Sequence, residues 1–405
     1  MFNITTYQNA QKDGEICAEI TVYPAQTCFV GHPLSPQFNA IKSEIEQKKN
    51  IPTYIFHTFS DIFGNFHYFF RPYTHNTIEC KVRMLPYAYC YTNNEIVWTK
   101  SKKVLVSYTL HRNHPMEHIQ TSSKYKYFTS LCRSIQKWLK FYLDSFFAKK
   151  ISASVALLSR HEVSETYGHF IRDVIGGFYQ LKLANITPDF YILPLNVPFQ
   201  MQMYELLGIP KECIIPSCPN MLIQAKQLII PTLMADYEIV EYRKHLHYRS
   251  FLMPLFTYQM YDDLLPNNIT PERKVFLVRP HNSNRRIENQ TEVECIFESF
   301  GYEIILPDTL SVKEQIHTFA SATHIASMHG SALVNIAFCK KNTRIFEIFP
   351  QYYHDPAQCY MALARGCKYS YMVGETHDTS MHPQQENVYV NPEKLKLALQ
   401  IFEQE

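Results

Sequence analysis

Residues 323–338 read THIASMHGSALVNIAF: an apolar run, then His329, Gly330 and Ser331, then a second apolar run. The first run has the length of a buried strand and the second that of a helix. Glycine is scarce here, 11 in 405 residues, so a glycine at this joint carries information. In open α/β sheets, ligands sit outside the carboxyl ends of strands. A helix beginning there presents unpaired N–H groups and about half a unit of positive charge. Gly330 lets the backbone approach a bulky group closely. Ser331 can cap the helix and donate to an oxygen, and His329 can donate to a phosphate or a sugar hydroxyl. A tight turn that only needs glycine, with the serine as N-cap, explains the same three residues.

The same alternation extends outward on both sides. KVFLVRP, YEIILP, TRIFEIFP and KYSYMV read as strands, with VECIFESFG, KEQIHTFASA and PAQCYMALARG as the helices between them. Upstream, ISASVALLS, DFYILPL, KECIIP and KQLIIPT read as strands, and HFIRDVIGGFYQLKL and FQMQMYELLGI as helices. HYRSFLMPLFTYQMYDDLL reads as a helix running into a polar linker at Asn267, Asn268 and Pro271. Strands alternating with helices of this length predict parallel sheets built from βαβ units. The expected fold is therefore α/β in two successive Rossmann-like blocks, 121–267 and 268–390. A β-rich region, 1–120, precedes them, and a C-terminal helix, 391–405, is expected to pack back on the first block.

Hydrophobic residues make up 46% of the chain and charged residues 19%, a globular balance. A net charge of +2 gives little support to nucleic-acid binding. The aromatic share of 14% suits rigid cores and would also suit sugar stacking. The 11 cysteines are scattered with no C-x-x-C, as expected of buried thiols in a reducing compartment. The N-terminal MFNITTYQNAQKDG has neither the basic start nor the apolar core of a signal peptide, so a cytoplasmic location is expected.

Other residues add chemistry to the His-Gly-Ser step. Arg279 closes the strand KVFLVRP, and Arg285 and Arg286 follow in the next loop; guanidinium forks suit phosphate oxygens, although a solvated loop is the usual fate of such charge. Glu347 interrupts an apolar strand, where a buried carboxylate needs a partner, and the two hydroxyls of a ribose would supply one. Phosphate donors, cations and a diol-binding carboxylate in one half point to a nucleotide diphosphate.

Together these residues resemble the core of glycosyltransferase family 61. The resemblance rests on Arg279, on the R-R-x-x-N step Arg285, Arg286 and Asn289, on Gln315 and Ile316, on H-G-x-x-L-x-N at His329, Gly330, Leu333 and Asn335, and on E-x-x-P at Glu347 and Pro350. Ser331 and Ala332 depart from the alanine and glycine usual there, and Gln290 replaces a frequent glutamate. The resemblance implies a GT-B arrangement, two Rossmann-like domains facing across a cleft, and inversion at the sugar's anomeric carbon. It assigns donor binding to Arg279, Arg285, Arg286, Asn289, His329, Gly330, Asn335 and Glu347, to which the reading of the turn adds Ser331, with no cofactor beyond a nucleotide diphosphate sugar, UDP-linked by expectation. The sequence agrees on one point independently: none of its 11 aspartates forms the D-x-D triplet of a metal-clamped diphosphate, so no metal is expected.

Displacement by a sugar hydroxyl needs a base. His169 and Asp173, four residues apart on one helix face, resemble in part the family's Y/W-x-H-x-x-x-D step, which begins here at Tyr167. His169 is the preferred base because imidazole titrates near working pH; Asp173 orients it or is itself the base. Two further signals carry less. His111, His114 and His118 in HRNHPMEH lack the spacing of a zinc site. The segment 124–150 mixes Trp138 and other aromatics with lysines, which fits a core-facing stripe better than an anionic membrane surface. The expected function is transfer of a sugar to an oligosaccharide or lipid-linked glycan, as in capsule or lipopolysaccharide biosynthesis at the inner face of a membrane. The alternatives are a nucleotide-sugar epimerase and a non-catalytic carbohydrate-binding or assembly protein.

Overall fold

The computed structural model describes residues 4–31, 53–57, 60–65, 67, 73–93, 96–105, 136, 138–159, 165–233, 237–242, 245–250, 256–280 and 283–404. The chain divides into two compact units, one of Met1–Pro24 with Glu79–Ala235 and one of Ala25–Ile78 with Asp236–Glu405.

The second unit is built on a five-stranded sheet whose pairings are all parallel. Its strands lie in the order Glu303–Ile305, Arg273–Leu277, Ala322–Met328, Arg344–Phe349, Lys368–Val373. Numbered by appearance, this is 2-1-3-4-5, which reverses between Arg273–Leu277 and Ala322–Met328. Neighbouring connections leave that point on opposite faces of the sheet, so a crevice opens at the carboxyl ends of these two strands. Near-continuous apolar strands fit such a sheet, because helices cover both faces. On one face, Phe276, Ala326, Phe346 and Ile348 pack with Val293, Ile296 and Phe297 of the helix Gln290–Ser299. Phe276 and Phe297 stack at 3.9 Å between centroids. The helix Val312–Ala320 is set by a capping box, Ser311 accepting from the Glu314 amide while Glu314 reaches back.

The first unit has a ten-stranded mixed sheet. Its parallel core orders Leu222–Pro231, Lys149–Leu157, Phe190–Leu193 and Ile214–Pro216. The order again reverses beside Lys149–Leu157, the strand that leads into His169.

Four expectations need correction. The N-terminal region is not one β-rich body: Ala18–Tyr23, Cys80–Pro86 and Tyr89–Tyr91 join the first sheet, and Cys80–Pro86 pairs antiparallel with Leu222–Pro231. The exposed edge of a parallel sheet is a liability, and these strands cover it. Residues 25–78 group instead with the second unit. Residues 247–250, expected to begin a helix, belong instead to the strand His245–Ser250, which forms a hairpin with Tyr237–Tyr242, its residues alternating at period two. The C-terminal helix Pro392–Gln404 packs on the second sheet, not the first. Its buried stripe of Leu395, Ala398, Leu399 and Phe402 completes the core around Phe276 and Val293, and Glu403 accepts from Lys274 and Tyr302.

Within 138–147, Leu139, Tyr142, Leu143, Phe146 and Phe147 are exposed and Phe141 is buried, so the core-facing stripe is not seen in this part. The rest of that segment and the histidines of HRNHPMEH lie outside the described residues. Among the described residues, no helix is long and apolar enough to cross a membrane, and no cluster of three metal-ligating side chains occurs.

Leu399→Ala should destabilise the second unit by about 2–5 kcal/mol, the usual cost of such a core truncation. Denaturant unfolding measures it, and an unchanged midpoint would contradict the packing described for this helix.

Candidate active site

At the switch point of the second sheet, the strand ending at Leu277 delivers Arg279 and the strand ending at Met328 delivers His329 and Gly330. The His329 amide extends the ladder by donating to Ile348 O at 2.9 Å, which fixes the turn. Arg279 Nη1 donates to His329 O at 3.1 Å, so the guanidinium bridges the two strand ends. A Cβ placed on Gly330 would lie 2.4 Å from Arg279 Nη1. Gly330 is extended with φ 170, so it is this close approach, and not backbone conformation, that favours glycine: a side chain here would displace the Arg279 guanidinium. The following Ser331–Phe338 segment is a 3₁₀ helix, whose first intrahelical bond runs from Leu333 N to Gly330 O. The amides of Ser331 and Ala332 therefore precede the helical ladder. Gly330 is the capping residue, and Ser331 does not cap, contrary to expectation.

Arg285 sits in the left-handed region, φ 57, with its guanidinium 5.0 Å from the centre of the Tyr353 ring. The Nε atoms of both Arg279 and Arg285 are buried without a partner among the described residues. Burial first, then repulsion from Arg285, pulls Arg279 down to about 10, and Asp308 offsets part of this. It stays charged at neutral pH. Two guanidinium groups with unmet N–H capacity, beside free amides, form a place for an anion.

Behind them, His329 Nδ1 lies 2.6 Å from Glu347 Oε1, and Tyr369 Oη donates to Glu347 Oε2. Glu347 is fully buried and both its oxygens are taken within the protein. The expectation that Glu347 holds a ribose is thus corrected: its partners are His329 and Tyr369. The imidazole stacks on Phe349 at 5.0 Å, with Tyr353 edge-on at 5.2 Å. Burial, reinforced by Arg285, pulls His329 down to about 3. Burial pushes Glu347 up to about 8 against the Tyr369 hydrogen bond. At neutral pH the pair is consequently a carboxylic acid donating to a neutral imidazole. That assignment puts the ring proton on Nε2, so His329 is a hydrogen-bond donor without being a cation.

Other expected donor residues take structural places. The Asn335 side chain is fully buried and donates to Gln315 Oε1 at 2.8 Å, while Gln315 donates to Pro307 O and Leu310 O. This ties the 3₁₀ helix to its neighbour. Asn289 clamps Val390, donating to its carbonyl at 2.9 Å and accepting from its amide at 3.1 Å. Arg286 donates through its backbone N–H to Asn387 Oδ1. Both side chains thus hold neighbouring elements of the unit together.

Sequence reasoning passed over Tyr369, Thr376 and Glu386. Tyr369 was readable only as an aromatic in an alternating strand. Thr376 and Glu386 lie in an irregular polar stretch without periodicity, yet each buries a side-chain oxygen that lacks a partner among the described residues. Both sit at the carboxyl edge of the sheet: the Thr376 amide donates to Gln351, and Asn387, next to Glu386, receives Arg286.

In the first unit, His169 Nδ1 lies 2.9 Å from Asp173 Oδ2, and Arg172 Nε donates to Asp173 Oδ1 at 3.0 Å. The spacing is adjusted by a π-helical turn, Phe170–Val174, a distortion frequent at functional sites. Burial alone would raise Asp173, but the charge of Arg172 and the bond with His169 outweigh it and hold the carboxyl well below the usual range. The carboxylate only accepts and Arg172 Nη2, 2.8 Å from Nδ1, only donates; the tautomer with the proton on Nδ1 makes the Asp173 contact a hydrogen bond. His169 Nε2 then offers its lone pair, and Asp173, 2% exposed, orients it.

Residues 167–346 match the family model for Glycosyltransferase 61. The match spans His169 and Asp173 in one unit and Arg279 through Asn335 in the other, and it supports the resemblance read from the sequence. No curated protein matches the chain.

Glu347→Gln should keep the bonds with His329 and Tyr369, because an amide N–H replaces the acid O–H, whereas Glu347→Ala strands two buried polar groups and should cost about 1–3 kcal/mol of stability for each. A folded-state value raised from 4.5 to about 8 means that Glu347 stabilises below pH 4.5 and progressively less up to pH 8. Glu347→Gln should therefore gain melting temperature relative to the unsubstituted protein between pH 5 and pH 8. An equal difference at both values would show an ionised Glu347.

Proposed function

We propose that this glycosyltransferase, recognised as such by the family 61 match over residues 167–346, moves a sugar from a nucleotide diphosphate sugar to a glycan hydroxyl with inversion. The observation that carries the reading is the pair of partly unsatisfied guanidinium groups, Arg279 and Arg285, beside the Gly330 step at the sheet's switch point. In this reading Arg279, Arg285 and the amides after Gly330 hold the diphosphate, and neutral His329 donates through Nε2 to a phosphate or sugar oxygen. Glu386 and Thr376, each with an oxygen that lacks a partner among the described residues, replace Glu347 as the groups that take donor hydroxyls. A nucleotide carrying uridine is the expected donor.

The acceptor hydroxyl oxygen attacks the anomeric carbon while the bond from that carbon to the phosphate oxygen breaks. His169 Nε2 takes the hydroxyl proton, and Asp173 stabilises the imidazolium that results. The electron pair of the broken bond leaves with the diphosphate, whose growing charge is met by arginine and amide groups in place of a divalent ion. The two units then serve one reaction, in the GT-B manner that the family resemblance implies. Capsule or lipopolysaccharide synthesis is the setting this reading favours. Exposed Leu143, Phe146 and Phe147, with Lys102 Nζ 5.0 Å from the centre of the Phe146 ring, support a peripheral contact with an anionic membrane carrying the acceptor.

His169→Ala should abolish transfer, by at least about a hundredfold, while nucleotide-sugar binding persists in calorimetry. Retained transfer would remove His169 from the role, and conversion of donor without acceptor would mark an epimerase. Replacing Phe146 and Phe147 by serine should abolish co-sedimentation with vesicles containing anionic phospholipid; absence of pelleting by the unsubstituted protein would end the membrane contact.

A further inference from the structure

A second feature of the first unit is unrelated to His169. Between Cys80–Pro86 and Tyr89–Tyr91 the chain kinks at Tyr87, which takes a left-handed backbone with φ 51. The kink is held in register: Tyr87 N donates to Lys226 O at 3.0 Å, Ala225 N to Ala88 O at 3.1 Å, and Gln224 Nε2 to Tyr87 O at 3.1 Å. Glycine adopts this conformation freely, whereas any residue with a Cβ is strained in it, and bulky ones are true outliers. The position nevertheless carries a tyrosine that is 55% exposed. An aromatic ring that is neither buried nor conformationally favoured does not serve the fold, and strain of this kind accumulates where it serves a ligand.

Tyr87 lines a groove of about 1100 Å³. Its other side holds Asp189, whose Oδ2 accepts from both Ser154 N at 2.8 Å and Ser154 Oγ at 2.7 Å. That double anchor fixes the exposed carboxylate at the groove wall, near Lys226. The Lys149–Leu157 strand shifts register between Ile151 and Ser154, which places Ser154 at this wall. Glu212, Lys226 and Gln227 complete the polar lining.

We infer that this groove binds a neutral oligosaccharide, with the Tyr87 ring under a sugar's apolar face and the fixed Asp189 carboxylate, Glu212 and Gln227 on its hydroxyl rim. Two carboxylates against one ammonium disfavour phosphate, so the ligand is not the nucleotide donor. Asp189 and Glu212 precede the strands Phe190–Leu193 and Ile214–Pro216, so the groove lies at the amino edge of the sheet. His169 follows the carboxyl end of Lys149–Leu157, at the opposite edge. The groove is thus a holding site for a stretch of glycan remote from the reacting hydroxyl. The inference rests on the glycosyltransferase reading for its ligand class.

The test is titration of malto-, cello-, laminari- and chitohexaose, followed by saturation-transfer NMR, on the whole protein and on Tyr87→Gly and Tyr87→Trp. At least one hexasaccharide should bind the unsubstituted protein. Tyr87→Gly should weaken it at least about tenfold, the loss of one stacked ring, without lowering the melting temperature, and Tyr87→Trp should retain it. Binding of a nucleoside diphosphate, followed in parallel, should be equal in all three. Failure of every hexasaccharide to bind, or equal binding by Tyr87→Gly, overturns the inference even where the nucleotide binds. Absence of nucleotide binding would instead strike at the donor site.

Discussion

The guanidinium of Arg279 packs against Gly330, and most of the proposed donor side follows from that contact. It joins the ends of two adjacent parallel strands where the strand order reverses, so the charge stands at the mouth of the crevice the topology opens. A methyl group at position 330 would push the guanidinium out of this place. Holding a desolvated guanidinium there costs free energy, visible in the fall of Arg279 to about 10 and in its unsatisfied Nε. Arg285 beside it adds repulsion. Two cations gathered in this way gain most from a ligand carrying more than one negative charge.

Behind the cations, His329, Glu347 and Tyr369 act as one unit. A charged imidazole would add to the repulsion, and an ionised Glu347 would neutralise charge meant for the ligand. Full burial of both removes both outcomes: the acid keeps its proton and the imidazole stays neutral. The His169–Asp173 pair uses the same two residue types with the opposite result. There Arg172 supplies the charge that keeps the carboxylate ionised, which turns the histidine's free nitrogen into an acceptor. One histidine donates and the other accepts, and the neighbouring charges make the difference.

The sequence made the second block legible almost strand by strand, because apolar runs separated by amphipathic helices leave little choice of arrangement. Arg279, Gly330 and His169 were readable from their positions after strands. The partners that define their roles were not. Glu347 looked like a ligand-binding carboxylate because a sequence shows an acid in an apolar strand but not Tyr369 one strand away. Asn289 and Asn335 lie among donor residues in the chain, yet their amides meet the Val390 backbone and Gln315, contacts made between elements distant in sequence. The C-terminal helix and residues 25–78 were misassigned for the same reason: an amphipathic stripe reports that an element packs, not on which sheet.

The central claim, that Arg279 laid against Gly330 builds a diphosphate site from protein groups alone, is tested most directly by titrating uridine diphosphate into the protein with a chelator present, and into Gly330→Ala. That variant adds one methyl group, which displaces the Arg279 guanidinium without removing any charge. The account predicts binding without divalent metal and a loss of at least about tenfold in the variant. Equal affinity of the two proteins, or binding that appears only with a divalent ion, would contradict it.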